Sequence, residues 1–255
     1  MHLFVSNPPH LKSKVNTASL MKHVIAALLP AVGASIHFFG PRAALLIINC
    51  MLSAVITERA VLFLRKKPAA LGDYSAALTG LLLALILPPS VSWYGATLGS
   101  IVAIVIGKHI FGGLGANIFN PALIGRAFLM AAYPKMLTTF IKPSSIDAIT
   151  SATPLVLRKF SQAMTPISSL FYGQVSGSLG ETSAICLIIG GLYLLIRKIA
   201  DWRIPLSLLL ATTFISSIFY LINPAWGSVL FHLFSGGLLL GALFMATDPV
   251  TTPIT

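Results

Sequence analysis

Eight long apolar runs, at 22–39, 43–64, 74–88, 94–111, 119–133, 182–197, 204–221 and 228–247, occupy most of this 255-residue chain. Several of them reach the roughly 20 residues that an α-helix needs to cross about 30 Å of hydrocarbon. Inside a bilayer each backbone N–H and C=O must be satisfied by the protein itself, which narrows the choice to helices or a closed β-barrel. Barrel strands alternate between lipid-facing and lumen-facing residues, whereas these runs are continuous. The chain therefore reads as an all-α integral membrane protein, a polytopic bundle of about eight transmembrane helices. Composition agrees, with 56% hydrophobic and 9% charged residues and a mean hydropathy of +0.90, against roughly a quarter charged in soluble domains.

Met1 to Lys22 is hydrophilic and has no short apolar core ending in a small-residue cleavage site, so no removable signal peptide is expected. Lys and Arg then set the orientation. Lys12, Lys14, Lys22, Arg65, Lys66, Lys67, Lys108, Arg197, Lys198 and Arg203 all fall on one side of the predicted helices, and the side richer in such residues is cytoplasmic. This gives a single membrane domain over 1–255. It has a cytoplasmic segment 1–22, five helices over 22–133, an outward loop 134–181 and three further helices over 182–255. The net charge of +11 is explained by helix flanks facing anionic lipid headgroups. No basic stripe with interleaved aromatics suggests nucleic acid as a partner.

Two breaks carry repeat-like features. Gly112 to Ala122 places Gly112, Gly113, Gly115, Asn117 and Asn120 between the fourth and fifth runs, and irregular backbone at membrane depth is tolerated only when buried in protein or lining a cavity. No strand precedes it and no Lys-Ser/Thr follows, which excludes a nucleotide phosphate loop; a packed re-entrant turn and a cofactor or ion site both remain open. Gly80-Leu81-Leu82-Leu83 runs into Pro88-Pro89, much as Gly237-Leu238-Leu239-Leu240 runs into Thr247-Asp248-Pro249. A five-helix repeat unit follows, inverted in its second copy, with interrupted helices near the pseudo-two-fold axis. Such a 5+5 fold has ten helices, two more than this chain supplies.

Chemistry-bearing residues are few. Cys50 and Cys186 lie in apolar runs without metal-site spacing and read as small buried residues. His109, beside Lys108 at a helix end, reads as interfacial. Glu58 beside Arg59 reads as a structural pair or anchor. Asp248, between Thr247 and Pro249 at a helix break, serves either as a cap or as an ion-path group, and Arg126 in the fifth run is expected to meet an anionic cofactor group, an internal carboxylate or a structural partner. No serine elbow or carboxylate pair stands out.

The stretch Asp147-Ala148-Ile149-Thr150-Ser151-Ala152-Thr153-Pro154-Leu155 is a hydroxyl-rich island. Asp, two spacers, Ser or Thr, a small residue, Ala and Thr form the pattern a flavin transferase reads when it joins the phosphate of FMN to threonine, here Thr153. The alternative is a helix N-cap followed by Pro at the first helical position.

Ser6 to His10, Asp73 to Ala84, Gly112 to Ala122, Asp147 to Leu155 and Phe244 to Thr251 occur in an order that resembles the RnfD family of Rnf electron-transport complexes. The B-type membrane component of the sodium-pumping NADH:quinone oxidoreductase is related and shares that fold. The resemblance implies a ten-helix inverted-repeat subunit in a bacterial inner membrane, with covalent FMN on Thr153 in the outward loop and a non-covalent riboflavin. It further implies the A, B, C, E and G components of the Rnf complex as partners, a flavin transferase for maturation, and electron flow between ferredoxin and NAD coupled to Na⁺ or H⁺. Relative to the family pattern, Ala148 stands in place of Gly and Thr150 in place of Ser, the outward loop is shorter than in many members, and the last two helices are expected to be missing. The isolated chain is expected to be inactive. A transporter or channel of the same fold without redox work, or an assembly subunit, would carry the same helices without a flavin.

Overall fold

The computed structural model describes residues 16–66, 71–143, 151–248 and 250–252, and among these no β-strand occurs. α1 (Thr17–Phe39) and α2 (Pro41–Leu64) form a hairpin that turns at Gly40, where φ is +68°. Only glycine adopts that backbone freely, and Pro41 at the first helical position starts the return helix. α3 (Ser75–Ile86) and α4 (Trp93–Ile104) follow, and α4 runs on into a π-turn at Val105–His109. Next come α5 (Pro121–Ala132), α6 (Pro134–Thr138), α7 (Pro154–Ser161), α8 (Ile167–Tyr172), α9 (Ala184–Ile196) and α10 (Arg203–Ile222). α11 (Val229–Phe234) and α12 (Leu238–Leu240) close the chain, and α12 continues into a second π-turn at Gly241–Met245.

A helix lies in each of the eight apolar runs. α1, α2 and α10 are long and apolar enough to cross a membrane alone, and Pro224–Phe234 with Leu238–Met245 forms an apolar pair bent by 42°, the shape of a broken span or a re-entrant loop. α3, α5 and α9 are apolar but shorter, and their ends have local causes. α3 stops at Ile86 rather than running to 88 because Leu87 precedes Pro88, and a residue before proline is pushed to extended backbone. α5 starts at Pro121 because Asn120 caps it, its side chain accepting from Ala122 N at 3.0 Å. The last run breaks where Gly236 takes φ +70°.

α3 is the centre of the bundle. Eleven of its twelve residues are buried, packed among α1, α2, α4 and α5, and a helix that is apolar all round belongs in such a place. Glycine lets the backbones close up, as small residues do between membrane helices. A Cβ at Gly80 would stand 2.5 Å from the Cys50 carbonyl on α2, and one at Gly190 on α9 would collide with the Ala27 carbonyl on α1. Cys50 is buried there as expected, while Cys186 is half-buried. α10 is the opposite case: only Pro205 and Ser216 are buried along it.

A tight turn at Leu179–Glu181, held by a reciprocal Ser178–Glu181 capping box, plugs one end of the core. Leu179 N donates to Leu87 O at 3.0 Å and Ser35 Oγ donates to Leu179 O at 2.6 Å. Gly180 sits against both Leu85 of α3 and Leu240 of α12.

Candidate functional site

Two regions gather the residues singled out above. The first surrounds Thr153, which takes extended backbone (φ −68°, ψ 157°) as the N-cap of α7 with Pro154 at the first helical position. Its half-exposed Oγ1 accepts from Val156 N at 3.4 Å, at the long limit for such a bond, so the cap makes little demand on the hydroxyl. The cap and the acceptor are therefore compatible roles for one side chain. The approach to Thr153 is fixed from two directions: Ser151 N donates to Phe140 O at 3.0 Å, and the Ser151 and Ser176 hydroxyls share a hydrogen bond of 2.5 Å. Ala152 is half-buried. Asp147 and Thr150 lie outside the described residues.

Thr153 suits a phosphoester. The first N–H groups of a helix lack intrahelical partners and point outward, and the macrodipole favours negative charge at that end. A phosphate on Thr153 would lie over this positive end of α7, with Arg158 and Lys159 one to two turns further along.

The second region lies between α2, α3, α4 and α5. Lys108, in the π-turn, is only 2% exposed and donates to Glu58, itself 3% exposed, in a buried ion pair. The same ammonium donates to Ser75 Oγ at 2.5 Å, and Ser75 Oγ donates to Asp73 Oδ1 at 2.8 Å. His109 is also buried, its Nε2 3.8 Å from Glu58 Oε1. Three expectations are corrected here. Glu58 is held by Lys108 and not by Arg59, which is exposed. Lys108 and His109 are not interfacial. Adjacent residues on a helix do not face one another, and a lysine stem reaches inward when a buried carboxylate is available to it. Asp73 and Ser75 entered the sequence reading only within the Asp73 to Ala84 motif and not as site residues; the available signal was an Asx cap immediately ahead of an apolar helix.

The structure brings Asn117, Asn120 and Asp248 together. All three line one small cavity with Ser75, Thr79 and Lys108, its volume about 20 Å³, which is room for about one water-sized species. Asn117 Oδ1 and Asn120 Nδ2 are buried without a hydrogen-bond partner. Gly112, Gly113 and Gly115 make this convergence possible, with φ of +120°, +109° and +92°, as they fold the chain back between α4 and α5. Asp248 caps its own turn, Oδ1 accepting from Val250 N and Oδ2 from Thr251 Oγ1, both at 3.3 Å. Arg126 is half-buried on α5, away from the cavity, and forms no ion pair among the described residues. The lining combines the Asn117 oxygen and the Asp248 carboxylate with the Lys108 ammonium and the Asn120 amide nitrogen. Among the described residues no three of His, Cys, Asp and Glu converge as a transition metal would require.

A helical membrane protein with a buried charge network and a helix-capping threonine is thus defined by fold and site together. The chain belongs to the NQR2, RnfD, RnfE family, whose model matches residues 4–255. It is 43% identical to the D component of the Na⁺-translocating ferredoxin:NAD⁺ oxidoreductase complex of Acetobacterium woodii, over all of this chain and 80% of that protein. It is 41% identical to the D component of the proton-translocating ferredoxin:NAD⁺ oxidoreductase complex of Clostridium ljungdahlii, over 98% of this chain and 80% of the relative. The D component of the ion-translocating oxidoreductase complex of a Vibrio cholerae serotype O1 strain is 36% identical over the whole chain and 85% of its own length.

Proposed function

We propose that this chain is the D-type membrane component of a redox-driven, ion-translocating Rnf complex, working among the A, B, C, E and G components and carrying FMN covalently on Thr153. The observation that carries the flavin part is the position of Thr153 Oγ1, half-exposed at the N-terminus of α7 and held by one long hydrogen bond. When bound, FMN supplies the carrier of electrons between ferredoxin and NAD(H). Thr153 holds the phosphate, the Leu155 N–H and the positive end of the α7 dipole favour its charge, and Ser151 anchors the approach. Intact-mass measurement of the chain co-expressed with a flavin transferase tests this: an FMN adduct on the peptide containing Thr153 supports it, and an unmodified chain contradicts it. The adduct also separates the redox reading from a transporter without flavin.

Thr153 belongs, in this reading, to an outward loop between five helices and an inverted second set, eight of ten spans being contained in 1–255. What supports the inverted repeat is Gly180, against which Leu85 of α3 and Leu240 of α12 both pack. Lys22, Arg65, Lys66, Arg197, Lys198 and Arg203 remain exposed and keep the N-terminus cytoplasmic even with Lys108 withdrawn from the count. Cysteine placed at Ser161 should react with an impermeant thiol reagent outside intact cells, and cysteine at Lys66 only after permeabilisation. The reverse pattern would invert the topology.

Ion coupling runs, we infer, through the cavity that Asp248, Asn117 and Asn120 share, with Na⁺ or H⁺ as the coupled cation and Arg126 outside the path. A riboflavin in the membrane region accompanies it. In an assembled complex Asp248→Asn should lower ion-coupled electron flow several-fold while FMN stays on Thr153, because Asn keeps the cap oxygen and loses the charge. Unchanged coupling would reduce Asp248 to a cap.

A further inference from the structure

Beside Thr153 lies a cleft of about 470 Å³, within the size range of ligand sites. One wall is a single face of α7, with Leu155, Arg158 and Lys159 at helical spacing, together with Gln162 just past its end. Trp226 and His232 stand on the other side. The aromatic wall is held in place, since the Trp226 ring packs 4.8 Å from that of Phe219 and His232 Nε2 is 3.0 Å from Trp226 O. Arg158 bridges the two walls. It donates from Nη1 to Gln162 O at 2.9 Å and from Nη2 to Pro224 O at 3.3 Å, while its Nε is buried without a partner.

These features recognise a flat aromatic group with an electron-rich edge, within reach of the helix start. At about 1.5 Å rise per residue, Arg158 lies about 7 Å along the axis from Thr153, a distance that the ribityl chain of a flavin phosphate spans. Trp226 is 48% exposed, which leaves indole surface free to stack, and Arg158 Nη1 and Nη2 make one hydrogen bond each, which leaves a second N–H on each for a ring carbonyl. A second cleft, about 450 Å³, is lined by Arg42, Asn49, Trp93 and Ile141, and among the described residues it approaches the Thr153 segment through Thr139 and Ile141, the neighbours of Phe140. The α7 cleft shares its wall with the helix that Thr153 caps, so tether and cleft keep a fixed relation.

We propose that this cleft is the docking site of the isoalloxazine ring of the flavin tethered at Thr153, with the ring stacked on Trp226 and Arg158 beside its carbonyl edge. The assignment rests on the covalent-FMN reading above. Arg158 then acts on the cofactor as a fixed positive charge, favouring the negatively charged reduced flavin.

The test uses the full chain purified in detergent after co-expression with a flavin transferase, in five forms: parent, Trp226→Leu, Arg158→Gln, Arg158→Lys and Trp93→Leu. Three quantities are read: covalent flavin per chain, flavin fluorescence and midpoint potential. Trp226→Leu should brighten the flavin several-fold by removing a stacked quencher, and Arg158→Gln should shift the potential negative, with Arg158→Lys restoring part of the shift. Trp93→Leu should change neither. Full flavinylation with fluorescence and potential indifferent to Trp226 and Arg158, or a response to Trp93→Leu in their place, would overturn the docking site while leaving the tether intact. A parent chain without covalent flavin would remove the tether and this inference with it. Arg158→Gln also frees α7 from Pro224; should it not fold, Trp226→Leu and Arg158→Lys decide the matter.

Discussion

Thr153→Val should abolish covalent flavin, with no ultraviolet fluorescence on a denaturing gel and no adduct in the intact mass. The substitution keeps the branched shape and removes only the oxygen that forms the phosphoester. Its structural effect is small, because an N-cap contributes about 1 kcal/mol and this one acts through a bond of 3.4 Å. Folding and membrane insertion should therefore match the parent, and the loss should be chemical. Ser151→Ala and Thr150→Ala should keep flavin, Ser151 because its hydroxyl is already committed to Ser176. Thr153→Ser should keep some. Flavin persisting on the Thr153→Val chain would move the attachment elsewhere.

Lys108→Met should be the most destabilising single change in the bundle. It leaves the Glu58 carboxylate buried with its partner gone, and removing one member of a buried ion pair costs about 3–5 kcal/mol. In a chain of this size that corresponds to a melting decrease on the order of 10 °C in detergent. Ser75 would lose its donor as well. The double change Glu58→Gln with Lys108→Met should recover much of the loss, since it withdraws both charges together, and the non-additivity measures their coupling. Parent-like melting of Lys108→Met would contradict the pairing, as would a double variant that melts below either single one.

What could be read from the sequence divides by range. The apolar runs at 22–39, 43–64 and 204–221 gave α1, α2 and α10 to within a few residues at most ends because continuous hydrophobicity is a local signal. The caps at Asn120-Pro121 and Thr153-Pro154 were legible for the same reason, since cap chemistry involves only the next few N–H groups. The buried network was not legible. Lys108 at the end of an apolar run has the signature of an interfacial anchor, and what turns it inward is Glu58, fifty positions earlier, together with Ser75. Asn117, Asn120 and Asp248 were each noticed for residue type and position, but their sharing of one cavity depends on how the break after α4 folds back toward the chain end. The cleft along α7 was invisible for a similar reason, because its aromatic wall comes from the Pro224–Trp226 turn and α11. A periodic face at 155, 158, 159 and 162 does not say what it faces.

The Glu58–Lys108 pair bears on how the chain enters the membrane. A translocation channel releases helices sideways into lipid according to their apolarity, and a lone Lys or Glu near a helix centre is penalised by about 2.5–3.5 kcal/mol on insertion scales. α2 carries the acid and the turn following α4 carries the base. Neither charge is neutralised until both have emerged and α3 has been laid between them. α2 through α4 should accordingly leave the channel as one partitioning unit, with α2 lingering at its wall until Lys108 arrives. Nascent chains halted before and after that residue would differ sharply in whether α2 can be crosslinked to the channel or to lipid.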